Sequence, residues 1–412
     1  MKRGLLKAAL ALCAAAVMLF GGSVRSMPEI VDPATLPTRS PSMSAMPPEP
    51  SESPEPETSP SPGPSAAPEE ESYVISFIGD ITPDSVAAYR NTAQGYQSVV
   101  TADNLGDVFE NTKQYLEDDD FTLANFECVL SDGGTAADKN FVFRAPPEYA
   151  GILTEGGVEF VTLGNNHTMD FGQTGLDNTK GVLEEYGVAY AAPDASCIYE
   201  ADGGITVGLY AAPWTASQAQ VVSGVVALAN NPDVDIVICL MHWGIEGSYR
   251  QNSTQTSTAY AAINAGADIV YGSHPHVLQP IEEYNGGYIV YSLGNYVFGG
   301  NTAPRDRDTA IVQFTVKRSA DGSVSVEGWE AIPCSLSSTP VTNDFRPEPY
   351  EEGSEEYERA MSKLNGTFTG PDLVVDYSEY EDEGEAGTTE QPAPSAAPED
   401  GVTEGEDAVE TE

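Results

Sequence analysis

Ile269-Val-Tyr-Gly-Ser-His-Pro-His-Val-Leu-Gln279 is the stretch on which the reading of this chain turns. Its first three residues are β-branched or aromatic and read as a strand, Ile269–Tyr271. Gly272 and Pro275 then interrupt the run, and two imidazoles, His274 and His276, stand just beyond it. The same order of events recurs upstream. Val234–Met241 runs into His242-Trp-Gly, Phe160–Leu163 into Gly164-Asn-Asn166-His167, Phe121–Asn125 into Asn125-Phe-Glu127, and Tyr73–Ile78 into Gly79-Asp80. The chain has four histidines, and all four lie at these strand ends. In an open parallel sheet, residues just past the carboxyl ends of the strands converge on one crevice. A carboxylate, an amide and imidazoles meeting there form a mixed oxygen and nitrogen site suited to divalent Mn, Zn or Fe. Singly, a His after a strand is more often a hydrogen-bonding residue, and Gly-Asp is common turn chemistry; the recurrence is what argues for a metal.

Working outward, further strands are expected at Thr206–Ala211, Tyr288–Leu293 and Ala310–Val316. Asp321-Gly322 should make a hairpin turn that returns through Val324–Trp329. Helices are expected at Asp103–Leu116, Gly175–Glu185, Ala219–Ala229 and Ser257–Ala265. Short β-rich runs alternating with helical stretches favour an α/β fold with a largely parallel sheet covered by helices.

The flanks have a different composition. Met1-Lys-Arg, Lys7 and the apolar run Ala8–Phe20 read as a secretory signal over residues 1–26, cleaved after Ser23 or Ser26 or else retained as a membrane anchor. Residues 27–72 are mainly Pro, Ser and Glu, a disordered spacer unable to bury a core. Residues 376–412 hold 14 acidic side chains and no Lys or Arg, so a second solvated tail is expected there. That leaves 73–345 as the folded domain, with a helical extension over 346–375. The net charge of −46, from 64 acidic against 18 basic residues, excludes nucleic acid as a partner, since phosphate neutralisation needs basic side chains. Cys128 and Cys239 read as buried thiols, and Cys197 and Cys334 could pair in an oxidising compartment.

Six motifs in one order, Phe-Ile-Gly-Asp80, Ala-Asn125-Phe-Glu127, Gly-Asn-Asn166-His167-Thr-Met-Asp170, Met-His242-Trp-Gly-Ile-Glu246, Gly-Ser-His274-Pro-His276 and Leu-Gly294-Asn295-Tyr, resemble the CapA/PgsA capsule-synthesis family associated with poly-γ-glutamate. That family is similar in turn to the calcineurin-like metallophosphoesterases. The resemblance implies their αββα sandwich, here flanked by the disordered spacer and the acidic tail. It also implies that Glu127 bridges two metal positions, that Asn166, His242 and His274 complete one, and that Asp80 and His276 belong to the other. The His expected two residues after Asp80 is Thr82, which weakens that position, so one ion or an unequal pair is expected. His167 would be a general acid oriented by Asp170. Three further residues are candidates for substrate contact. Arg144 could hold a carboxylate or phosphate, or pair with a local acid. Glu246 could support the ligands or be a plain surface charge, and Asn295 is a loop residue near the site.

Two functions follow as expectations. One is an exported protein of capsule or poly-γ-glutamate biosynthesis, at the cell surface, in contact with an anionic polymer and a membrane polymer-synthesis complex. The other is a secreted metal-dependent phosphoesterase or related hydrolase. A surface domain with a decayed site is the blander alternative.

Overall fold

The computed structural model describes residues 70–375. The expected signal segment, the spacer up to residue 69 and the acidic tail from 376 lie outside the described residues. In chain order the strands are β1 (Glu71–Thr82), β2 (Phe121–Phe126), β3 (Val129–Leu130), β4 (Arg144–Ala145), β5 (Phe160–Thr162), β6 (Ala189–Ala191), β7 (Ala195–Glu200), β8 (Thr206–Ala211), β9 (Ile236–His242), β10 (Ile269–Ser273), β11 (Ile281–Tyr284), β12 (Gly287–Val290), β13 (Asn295–Phe298), β14 (Asp308–Arg318), β15 (Val324–Ser335) and β16 (Glu348–Pro349). The helices are α1 (Ala87–Arg90), α2 (Tyr96–Val99), α3 (Gly151–Gly156), α4 (Gly172–Tyr186), α5 (Gln218–Ala229), α6 (Ser253–Asn264) and α7 (Glu355–Leu364).

The strands form two large sheets and a separate β3-β4 pair rather than the one largely parallel sheet read from the pattern. The first has the order β16-β15-β14-β1-β2-β5-β6, with β13 also paired to β1; the second has the order β11-β12-β10-β9-β8-β7. Each has a parallel centre, β1-β2-β5-β6 in one and β8-β9-β10-β12 in the other, extended by antiparallel strands. The fold is thus the αββα sandwich that the resemblance implies, two sheets face to face with helices outside. Single-sheet reasoning failed because an inward-facing strand looks alike whichever sheet it joins.

The burial pattern of β9 shows why. All seven of its residues are buried. Ile236, Ile238 and Leu240 join Ile75, Phe77, Leu123 and Phe160 of the first sheet in the core between the layers, while Val237, Cys239 and Met241 face Val221, Val225 and Ala262 of α5 and α6. A strand covered on both faces reads as a continuous apolar run. Tyr271 ties the layers together: its ring stacks on Phe77 at 5.5 Å, and its hydroxyl donates to the Ile78 carbonyl at 2.7 Å.

Local chemistry sets the ends of the elements. Capping boxes Ser217…Gln220 and Asn252…Gln255 start α5 and α6, the second four residues before the expected Ser257. Asp321-Gly322 does turn the β14–β15 hairpin, with Gly322 at φ 87°, a backbone region that favours glycine. The helix expected over Asp103–Leu116 is instead two 3₁₀ turns, Leu105–Phe109 and Lys113–Tyr115. Gly106, Asn111 and Thr112 are poor helix formers and interrupt it. In the extension, α7 docks through Lys363, whose buried ammonium meets Asp306 and Asp308 at 2.8 and 2.7 Å. Among the described residues the four cysteines are buried and form no disulfide, so Cys197 and Cys334 are not joined.

Candidate metal centre

The centre is assembled where the carboxyl ends of both parallel groups meet: β1, β2 and β5 deliver Asp80, Glu127 and the 165–167 loop, and β9 and β10 deliver His242, His274 and His276. The backbone at Asp80 needs its preceding glycine. A Cβ on Gly79 would stand 2.2 Å from the Gly294 carbonyl, the same oxygen that accepts the Asp80 N–H at 2.8 Å. Asp80 is then held by the Asn125 amide at 2.9 Å, and Asn165, which the sequence reading did not single out, donates to Asn125 at 3.1 Å and accepts the His167 N–H. These buried amides make the floor of the site.

His242 illustrates how the ligand set is oriented. The Ser273 hydroxyl donates to the Met241 carbonyl at 3.1 Å and so accepts from His242 Nδ1 at 2.8 Å. That arrangement leaves Nε2 with its lone pair facing Asn166 Oδ1 at 3.0 Å and Glu127 Oε1 at 3.3 Å. Three acceptors directed at one point call for a cation. Neither buried Glu127 oxygen has a hydrogen-bond partner, and neither does buried His274 Nδ1. Buried polar atoms are almost always paired, so this concentration of orphans suits a divalent metal. Two ligand groups share Glu127: Glu127, His242 and His274 form one, and Asp80, Glu127 and His276 the other, each with its ligand atoms within 4.8 Å of one another. Glu246 makes a third group with His274 and His276, and is half-buried rather than a plain surface charge.

Electrostatics separate the members. Burial alone would push the Glu127 carboxyl up; with no cation between them, protonated His242, together with His276 and His167, would hold it well below the usual carboxylate range, and a metal ion would take over that pull from His242. Burial and the neighbouring His242 and His276 keep His274 well below an ordinary imidazole, hence neutral and able to ligate. Burial would lower His276 too, but its hydrogen bond to Asp80 and the nearby Glu127 raise it to about 10. Asn295 turns out to orient this ring, accepting from His276 Nδ1 at 2.8 Å. Thr82, at the position where the resemblance expects His, is fully buried, and its hydroxyl is unpartnered.

His167 lies beside the ligand groups. Its Nδ1 is 2.8 Å from Asp170 Oδ2, its Nε2 is 3.9 Å from Glu127 Oε1, and Phe143 packs against its ring at 4.7 Å. Lys139, which no sequence signal marked, stands 2.5 Å from Asp170 Oδ1 and donates to the Asn166 carbonyl at 2.9 Å. Trp214 is equally unmarked; it packs on His274 at 4.4 Å and His242 at 5.3 Å while remaining 41% exposed. Arg144 is not among the ligands and does not pair with a local acid: its guanidinium lies over the Phe171 ring at 4.4 Å.

Residues 74–300 match the model of the bacterial capsule synthesis protein PGA_cap family. The chain is similar to the PGA biosynthesis protein CapA of Bacillus subtilis (strain 168), 30% identical over 279 residues that cover 61% of this chain and 70% of that protein. It is also similar to the capsule biosynthesis protein CapA of Bacillus anthracis, 28% identical over 277 residues that cover 60% of this chain and 65% of the other. Among solved structures, the NAD nucleotidase NadN of Haemophilus influenzae aligns over 76% of this chain and 66% of its own, at 14% identity and a TM-score of 0.36.

Proposed function

Because this chain belongs to the PGA_cap family of bacterial capsule synthesis proteins, we propose that it serves poly-γ-glutamate or a related anionic surface polymer, outside the membrane, through a divalent metal held at its strand ends. The observation that carries the metal part is Glu127, buried, without a hydrogen-bond partner, and common to two ligand groups. Glu127, His242, His274 and Asn166 would hold the firmer ion; Asp80 and His276, with Thr82 in place of a third donor, would hold a weaker one. Export is supported by the charged and apolar start of the chain, and the Pro-Ser-Glu spacer would set the domain off from a membrane where a polymer-synthesis complex works. In an acidic protein, the metal supplies the positive charge an anionic ligand needs.

A second reading, hydrolysis of a phosphoester, is favoured by one observation: His167 is backed by Asp170, which is itself paired with Lys139. A bound metal would polarise the scissile group and make water acidic enough to attack at neutral pH. Asp170 fixes His167 with Nδ1 toward the carboxylate and Nε2 toward the centre, where a proton could pass to a leaving oxygen. Elemental analysis of the purified chain, coupled with a screen of phosphomonoesters and phosphodiesters, tests both. Metal near one equivalent without turnover supports the polymer role alone. Turnover abolished by His167→Ala supports the hydrolase, and metal below about one tenth of an equivalent removes both.

A further inference from the structure

Among the described residues, Arg144 is the one arginine of eight whose guanidinium has no acceptor. The other seven donate to carboxylates or main-chain carbonyls, Arg90 to Asp84, Arg250 to Asp372, Arg318 to Asp235, Arg346 to Asp107 and Arg359 to Asp308, with Arg305 and Arg307 on carbonyls. In a chain with 64 acids to 18 bases, an arginine that finds none is held away from them. Asp84 is within reach, but it takes the bidentate fork of Arg90 at 2.7 and 3.1 Å and only the main-chain N–H of Arg144. The Arg144 guanidinium instead lies over the Phe171 ring, 4.4 Å from its centroid, and lines a cleft of about 240 Å³ with Arg90, Gln97, Ser131 and Pro146. Asp132, on the same lining, is exposed and makes no ion pair with it. A larger cleft of about 530 Å³ elsewhere has Asp103, Asp107, Glu148 and Glu155 in its lining and no basic residue.

The cleft adjoins the metal centre. Arg144 and Phe171 are the chain neighbours of Phe143 and Asp170, which pack on and hydrogen-bond His167. The geometry points to the Arg144 cleft as a carboxylate subsite for an extended ligand that carries carboxylates at intervals, one held on the guanidinium fork while another part of the same chain reaches the strand-end centre. A guanidinium fixed on an aromatic face presents its N–H edge to a planar carboxylate bidentately. A tetrahedral phosphate would ask for further donors, and those of Gln97 and Ser131 are already engaged, with Asp84, the Arg144 carbonyl and the Gly133 carbonyl.

This subsite rests on the polymer reading above, and the test keeps the two apart. Titration calorimetry of γ-linked tetraglutamate into the full, metal-loaded chain should show Arg144→Gln binding about tenfold more weakly than wild type, with Arg144→Lys between them. Metal content and melting temperature should be unchanged in Arg144→Gln, whose uncharged side chain still covers Phe171. Free glutamate and inorganic phosphate should each bind wild type about tenfold more weakly than the oligomer. The subsite is overturned by Arg144→Gln affinity within about twofold of wild type, by glutamate or phosphate binding as tightly as the oligomer, or by no oligomer binding at all. If Glu127→Ala abolishes binding while Arg144→Gln does not, the polymer reading stands and the subsite falls.

Discussion

The two ends of the parallel strands are both lined with carboxylates, yet they have been built for different ends. At the amino ends, an acid placed immediately before a strand accepts the main-chain N–H of the neighbouring strand: Asp120 from Val74, Glu159 from Thr122, Asp235 from Thr206 and Asp268 from Val237, all at 2.7 to 2.9 Å. Each side chain adds one rung to a ladder that would otherwise finish on a bare donor. At the carboxyl ends, Glu127 and His274 have buried atoms with nothing to bond. Buried charge therefore does not identify a site, and neither does a lone unpartnered hydroxyl such as that of Tyr96; a cluster of unpartnered buried ligand atoms does.

That contrast can be broken most directly at Glu127. Elemental analysis should find Glu127→Ala devoid of the metal that wild type retains, and Asp268→Ala as fully loaded as wild type; equal loss in both would erase the distinction. Next in size, chelation should lower the stability of wild type by about 3 kcal/mol if metal is present at a hundred times its dissociation constant. By calorimetry, that is a fall in melting temperature of several degrees, absent in Glu127→Ala.

At the amino ends the expected signature is a pH dependence. Burial raises Glu159 to about 7 against an ordinary value of 4.5, although the Thr122 N–H that it accepts pulls the other way. Between those values the folded chain keeps a proton that the unfolded chain has lost, so stability should fall as pH rises from about 4.5 to 7 and level off above. Asp119, raised by burial to about 6, acts in the same direction. Denaturant melts should show a loss on the order of 2 kcal/mol across the window, shrinking in Glu159→Gln; an unchanged slope in that variant would sink the assignment. Smallest of all, Asp268→Ala should cost about 1 kcal/mol, the low end for stranding a strand N–H, because Asp268 is only half-buried and water can reach its rung.

Much of the candidate metal centre could be read in advance because its residues are rare types at predictable places. Four histidines at strand ends, with Asp80, Glu127 and Asn166, do lie together, and two groups that could hold an ion share Glu127. What escaped notice was of another kind. Lys139 and Trp214 come from loops without periodicity, and nothing in Asp-Lys-Asn or Pro-Trp-Thr predicts that one will meet Asp170 and the other His274. Asn165 stands next to a residue that was singled out, and could have been found by asking what holds Asn125. Likewise, β6 is three residues long and β7 and β11 bury only Cys197 between them, too little inward-facing signal to reveal that the strands divide between two large sheets.

His274 and His276 sit at φ 98° and 56°, a backbone region where side chains other than glycine are strained, by about 1–3 kcal/mol each. Folding alone would choose glycine or asparagine there. A duplicated copy of the gene, relieved of its task, would therefore drift in a foreseeable direction, losing these imidazoles first and becoming more heat-resistant as it fell silent. Relatives with glycine at both positions and an intact sandwich would be retired copies, recognisable from two codons.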